Sequence, residues 1–299
     1  MKEIRRPQAA IWGFYSLNRD TLVKEIERCF LDKTWGPGSL PKEGITTYIA
    51  VGGIAPHAGY VYSGPCAAHL YKALKEGAPR VDTVVIVGTN HTGFGGDITT
   101  TKRFVWATPL GQIDVDEELI DTVSKMYPLD DDPSAHMREH SVEVQLPFLQ
   151  YVYGNTFKLV PIVVKEIDAQ EAREFAKALK EAAEKLERRI VVIASSDLTH
   201  HGYMYDYVLF HENIPSRVRE LDLTILKKVL ELDTKGFLSL IEKYRSTVCG
   251  PGAIAIAMEF AKLEGATAKL LQYYNSGELT GEEDAVVGYA AVLFYKPLS

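Results

Sequence analysis

Apolar residues along this chain occur in short unbroken runs, separated by stretches in which they recur every three or four positions. The runs "TTYIAVGGIA" (46–55), "VDTVVIVGT" (81–89), "FKLVPIVV" (157–164), "RRIVVIASS" (188–196) and "AVVGYAAVLFYK" (285–296) are rich in β-branched residues. They lack the polar alternation of a half-exposed strand, so they predict strands buried on both faces. The periodic stretches predict helices over 114–127, 168–189, 216–232, 234–244 and 250–265. Asp168 stands where an N-cap is expected, and acids fill the first turn of the 114–127 segment, complementing the helix dipole. Strands alternating with helices predict an α/β fold in one domain spanning 1–299: a central, mostly parallel or mixed sheet with helices on both faces. The segment 34–44 reads as a loop. The segment "REHSVEVQLPFLQYV" (138–152) fits both a strand-like alternation and helical spacing, with Glu139, His140 and Glu143 near a helix start.

Composition narrows the function classes. The 299 residues carry 33 Lys+Arg and 40 Asp+Glu, a net charge of −7, without a basic stripe, so no nucleic-acid surface is expected. No uninterrupted apolar stretch approaches the roughly 18 residues of a membrane span. The charged N-terminus "MKEIRRPQAAIWGFY" does not resemble a signal peptide, which leads to an expectation of a cytoplasmic protein without membrane association. Three widely spaced cysteines argue against a disulfide framework; Cys29 and Cys66 read as small buried thiols.

Chemistry concentrates where the strands end. "APHAGY" brings His57, "GTNHTGFGG" brings Asn90 and His91, and "SSDLTHHG" brings Ser195, Ser196, Asp197, His200 and His201. Ligands of open α/β sheets bind at the carboxyl ends of the strands, and imidazole is a common ligand of zinc, iron and copper. A third, anionic ligand would come from Asp197 or from Cys249, which precedes a Gly-Pro-Gly break and a helix start; a buried structural thiol is the competing reading of Cys249. The helix dipole and any bound metal would depress that thiol's pKa. His136 and His140 lie in or beside punctuated loops, and His140 is a candidate proton carrier. The segment 269–281, with Tyr273, Tyr274 and Asn275, is either a wall of the same pocket or a strand edge and turn. A GxSxG elbow and a phosphate-binding glycine motif are both missing.

In their order along the chain, "APHAGYVYSG", "GTNHTG", "EHSVEVQLPFL", "SSDLTHHG" and "TVCGPGA" resemble the MEMO family, whose prokaryotic members are labelled AmmeMemoRadiSam system protein B. The resemblance implies a fold like that of LigB-type class III extradiol dioxygenases. It further implies a metal site of His57, His91 and Cys249, with Asp197 and His200 facing the metal and His200 as the acid–base group. Iron(II) is the metal it favours, with copper or zinc as alternatives. The family label also suggests a protein partner of the radical-SAM or AMMECR type. Phosphotyrosine-peptide binding, thought to occur in eukaryotic members, is not expected here: the span after His200 reads "HGYMYDY", where Asp206 replaces a basic residue. Phe14 stands where a tryptophan is common.

Two readings of function follow, with a third behind them. In the first, His57, His91 and Cys249 hold Fe(II) for redox or dioxygenase-like chemistry on an unnamed small molecule, with His200, Asp197 and His140 as catalytic residues. In the second, the pocket is a vestige that binds a metal or a partner without turnover. The third is zinc-dependent hydrolysis.

Overall fold

The computed structural model describes residues 2–42 and 47–298. Thr46, at the start of the first predicted strand, and residues 43–44 of the predicted loop lie outside them. The five apolar runs form strands: Tyr48–Ala55, Thr83–Thr89, Lys158–Val164, Ile190–Ser195 and Ala285–Pro297. Thr83–Thr89 is buried at every position, as a strand covered on both faces must be.

The large sheet runs in the order 200–202, 285–297, 48–55, 190–195, 83–89, 158–164, 98–100, 130–131, with Thr267–Asn275 also paired to 285–297. Its centre, from 48–55 to 158–164, is parallel. The strands 285–297 and 98–100 join that centre antiparallel. The sheet is therefore mixed, with parallel pairing confined mainly to the middle. Ala285–Pro297 follows Thr267–Asn275 through a short turn-helix, and so close a connection favours antiparallel pairing.

The helices Arg19–Leu31, Tyr60–Gly77 and Leu146–Tyr153 pack together on one face of the sheet, and Ala169–Lys185 and Pro251–Leu263 on the other. Asp168 caps its helix with a full capping box, its carboxylate taking the Glu171 amide while the Glu171 side chain accepts from the Asp168 amide. The ambiguous 138–152 segment resolves as a turn, a 3₁₀ turn (Glu143–Gln145) and the helix Leu146–Tyr153.

A second, three-stranded sheet was not foreseen: Glu3–Arg5 pairs parallel with Phe104–Thr108, which pairs antiparallel with Gly111–Ile113. It carries Arg5 into the interior, over the Trp106 ring at 4.2 Å. There the guanidinium pairs with Glu143 at 2.6 Å and donates to the carbonyls of His136 (2.8 Å) and Glu139 (2.6 Å). The Glu143 carboxylate also accepts from the Ala9 amide and the Tyr15 hydroxyl. The N-terminal segment is thereby fastened to the 136–143 turn. No described helix is long and apolar enough to cross a membrane.

Candidate metal centre

Three neighbouring parallel strands end at Ala55, Ser195 and Thr89, and two residues beyond each end stand His57, Asp197 and His91. Equal offsets on adjacent strands put the three side chains at one edge of the sheet. The 139–141 turn reaches the same edge because residue 88 is glycine: a Cβ there would lie 2.3 Å from Ser141 Oγ. That approach lets Ser141 Oγ accept from the Thr89 amide at 3.1 Å and brings in Glu139 and His140. Cys249 arrives from the loop before Pro251–Leu263, its amide donating to the Asp197 carbonyl at 3.2 Å. His57, His91, His140, Asp197 and Cys249 line a cavity of about 450 Å³ with Phe14, Tyr62, Tyr205, Val287 and Tyr289 on its walls. Clefts of about 520 and 870 Å³ lie elsewhere, but neither is lined by a histidine or cysteine.

Hydrogen bonds fix which nitrogen each histidine offers. The Ser195 hydroxyl donates to the Ser141 carbonyl (2.6 Å) and accepts from the Gln145 amide (2.8 Å), so at 3.2 Å from His57 Nδ1 it accepts again. His57 is therefore protonated on Nδ1 and carries its lone pair on Nε2. His91 Nδ1 donates to Glu139 Oε1 at 2.9 Å, and the His91 amide binds the other Glu139 oxygen at 2.8 Å. His200 Nδ1 donates to the Leu198 carbonyl at 3.0 Å. In all three, Nε2 is left as the free base. Metal-binding histidines are oriented in this way, the other nitrogen donating to a carboxylate or carbonyl behind the ring.

Electrostatics agree. Burial, reinforced by the nearby His91 charge, pushes His57 down to about 3; burial and His57 do the same to His140. Both imidazoles are thus neutral at ordinary pH, the form that binds metal. Burial acts to lower His91 too, but the hydrogen bond and charge of Glu139 outweigh it and raise the group. Burial works against the Glu139 charge as well; His91, His140 and the Ser141 amide overcome it and hold the carboxyl at about 2. Asp197 is raised by burial, although His200 and the His57 amide favour its charge. Burial and then the Asp197 carboxylate push the Cys249 thiol well up, which corrects the expected helix-dipole depression. Desolvation of the sulfur, with the Asp197 charge beside it, outweighs the dipole of one helix end.

The donors fall into two groups whose ligand atoms lie mutually within 4.8 Å: His57, His91 and His140, and His57, Asp197 and Cys249. His57 belongs to both, whereas His91 and Cys249 do not share a trio. Zinc holds imidazole nitrogen at about 2 Å and thiolate at about 2.3 Å, so ligand atoms around one ion stand roughly 3–4 Å apart. Either trio can close to that spacing by small side-chain movements, and the donor set fits a transition metal. His200 lies beside rather than inside these groups, with both ring nitrogens 3.8 Å from Cys249 Sγ.

The family model described as Memo-like protein matches residues 5–293. The chain belongs to the Memo-like family. A MEMO1 family protein of Methanopyrus kandleri is 42% identical over 294 residues, covering 97% of this chain and 99% of that one. Relatives with the same family name from Ignicoccus hospitalis (42% over 296 residues; 98% and 99% covered) and Thermococcus onnurineus (40% over 296 residues; 96% and 98% covered) are similar throughout.

In this family member the structure brings together His57, His91, His140, Asp197, His200 and Cys249 around one cavity. His136 is buried elsewhere on the Thr99 carbonyl, and His201 accepts the amides of Leu209 and Phe210, so neither belongs to the site. Tyr273, Tyr274 and Asn275 are buried behind the cavity; Ser276 and Thr280, just beyond them, line it. Glu139, near the expected helix start, is fully buried against His91, and Glu143 is buried against Arg5. Asp206 is exposed and off the cavity wall. Sequence reasoning missed Gln145, Tyr62, Tyr205 and Tyr289 as parts of the site, and it named Ser195 at its strand end without foreseeing the contact to His57. Only the inward position of Tyr289 in an apolar strand hinted at such a role.

Proposed function

We propose that the cavity is a transition-metal centre for redox, dioxygenase-like chemistry, with His57, His91 and Cys249 holding the ion. Iron(II) is the preferred metal and copper the next; zinc would serve a hydrolytic variant. What carries the reading is the shared anchoring of His57 and His91: each Nδ1 donates to an oxygen behind it, leaving Nε2 as the free base in a cavity that the half-buried Cys249 thiol also lines. When bound, the ion would supply an electron-transfer and Lewis-acid centre; a thiolate softens the site relative to a carboxylate and widens its tolerance for copper.

The remaining work belongs to the chain. Glu139 and Ser195 hold the two imidazoles in one tautomer and orientation. His200, with its Nε2 free and Cys249 Sγ 3.8 Å away, takes the thiol proton when the sulfur becomes a ligand and thereafter carries protons at the cavity wall. Asp197 fixes the His57 backbone through the His57 amide at 2.8 Å, and His140, stacked on His91 with centroids 4.7 Å apart, closes one side against water.

Metal analysis of the chain purified without chelators, followed by anaerobic Fe(II) loading and measured oxygen uptake, tests this. About one equivalent of metal, lost in His57→Ala, and uptake above that of free iron are expected. The lack of any stoichiometric iron, copper or zinc would overturn the reading. A second reading, metal or partner binding without turnover, is favoured by one observation: His91 and Cys249 fall in different trios. Stoichiometric metal without any oxygen uptake would select it.

A further inference from the structure

The cavity has a side opposite its metal-binding groups. Tyr62 projects from the first turn of Tyr60–Gly77, Tyr205 from the turn after His200–Gly202, and Tyr289 from Ala285–Pro297; all three line the cavity. None of the three hydroxyls has a hydrogen-bond partner among the described residues, although 3% exposed Tyr289 is almost wholly buried. The Tyr289 hydroxyl is also absent from the polar atoms sealed off without a partner, so what access it has is to the cavity. Its ring is held in place by Tyr274 (5.6 Å between centroids), whose own hydroxyl donates to the Tyr62 carbonyl at 2.6 Å. The Tyr205 ring stands edge-on to His200 at 5.0 Å. Tyr62 is 45% exposed and Tyr205 half-buried, but a phenol as buried as Tyr289 that gains no protein hydrogen bond is costly, and its rigid placement without a partner marks a group available to a ligand.

Charge and shape define that ligand further. No lysine or arginine lines the cavity, while Asp197 and Glu282 do. His91, the histidine nearest an acid, is already paired with the Glu139 carboxylate at 2.9 Å. Phe14, Ala285 and Val287 supply apolar walls, and about 450 Å³ suits a small ring compound. Burial raises both Tyr205 and Tyr289, which keeps them protonated as donors.

We propose that the hydroxyls of Tyr62, Tyr205 and Tyr289 form the recognition surface of this cavity, and that they select an uncharged, oxygen-bearing aromatic ligand over an anionic one. The proposal rests on the cavity being the ligand site of the centre described above, but not on which metal occupies it.

The test compares 4-hydroxybenzamide with 4-hydroxybenzoate, matched in ring and size but not in charge, by ligand-observed NMR titration of the full chain. Samples as purified and after chelator treatment are both titrated, and the metal content of each is measured. The amide is expected to bind at least about ten-fold more tightly, a difference of about 1.4 kcal/mol. Tyr289→Phe, which keeps the ring and its packing, is expected to weaken the amide about three- to ten-fold, as loss of one hydrogen bond does, while retaining the metal content of the wild type. Equal or tighter binding of the benzoate, an unchanged amide affinity in Tyr289→Phe, or no binding of either compound would overturn the proposal. A missing metal with the ligand preference intact would instead count against the metal reading alone.

Discussion

Replacing Arg5 by Met tests how the N-terminal segment supports the site. Arg5 is 3% exposed and its partner Glu143 is fully buried. The guanidinium makes three short contacts, at 2.6 Å to Glu143, 2.8 Å to the His136 carbonyl and 2.6 Å to the Glu139 carbonyl. Removing one member of a buried pair leaves an uncompensated charge, at a cost of about 3–5 kcal/mol. The two orphaned carbonyls would add to this, but not independently, because they share one donor group. Against a total stability of roughly 5–15 kcal/mol, such a loss is a large fraction. The double variant Arg5→Met/Glu143→Gln removes the stranded charge and keeps an oxygen for the Ala9 amide and the Tyr15 hydroxyl. It is expected to recover about half of the loss, within the range seen when buried pairs are neutralised together. Urea denaturation at pH 7, followed by tryptophan fluorescence, gives both values; Trp106 lies under Arg5 and reports the change directly. A single-variant loss below about 1 kcal/mol, or a double variant less stable than the single, would refute the reasoning.

The other expectations concern separate parts of the molecule. Glu139→Gln removes the charge that orients His91 and is expected to weaken metal binding about 10- to 100-fold with little change in the fold, measured by competition with a chromophoric chelator. Asp222, buried beside Thr199 and Tyr273, has its pKa raised from 3.8 to about 6, first by desolvation and only partly offset by their hydrogen bonds. The fold favours its protonated form, so that contribution is complete below 3.8 and lost as pH rises through 6. Denaturation titrations should show the wild type losing about 3 kcal/mol relative to Asp222→Asn between about pH 3 and 7. A constant difference across that window would show that the burial cost is not felt.

Much of the scaffold was legible because fully buried strands have a simple signature. "TVVIVGT" has no polar face, and only the middle of a sheet covered on both sides accommodates that. The edges were harder to read. His200–Gly202 and Ile98–Thr100 are three residues each, too short to show any period, and they pair antiparallel through contacts distant in sequence. The strand-end histidines were readable because their offset from the strand end repeats. Glu139 was not: an acid near a helix start has the same local signature whether it faces water or His91, and only the approach of the 139–141 turn to Gly88 decides. The Cys249 thiol illustrates the same limit. Its place before a helix suggested an acidic sulfur, but burial against Asp197, a long-range consequence of folding, pushes it the other way.

The most direct measurement of the central claim is the absorption spectrum of the chain loaded with cobalt(II), with and without Cys249→Ser. An intense near-ultraviolet thiolate-to-cobalt band at one equivalent, absent in Cys249→Ser and weakened or lost in His57→Ala and His91→Ala, is the expected result. A cobalt complex of the wild type without that band, or the same spectrum in wild type and Cys249→Ser, would show that the sulfur is not a ligand and contradict the account.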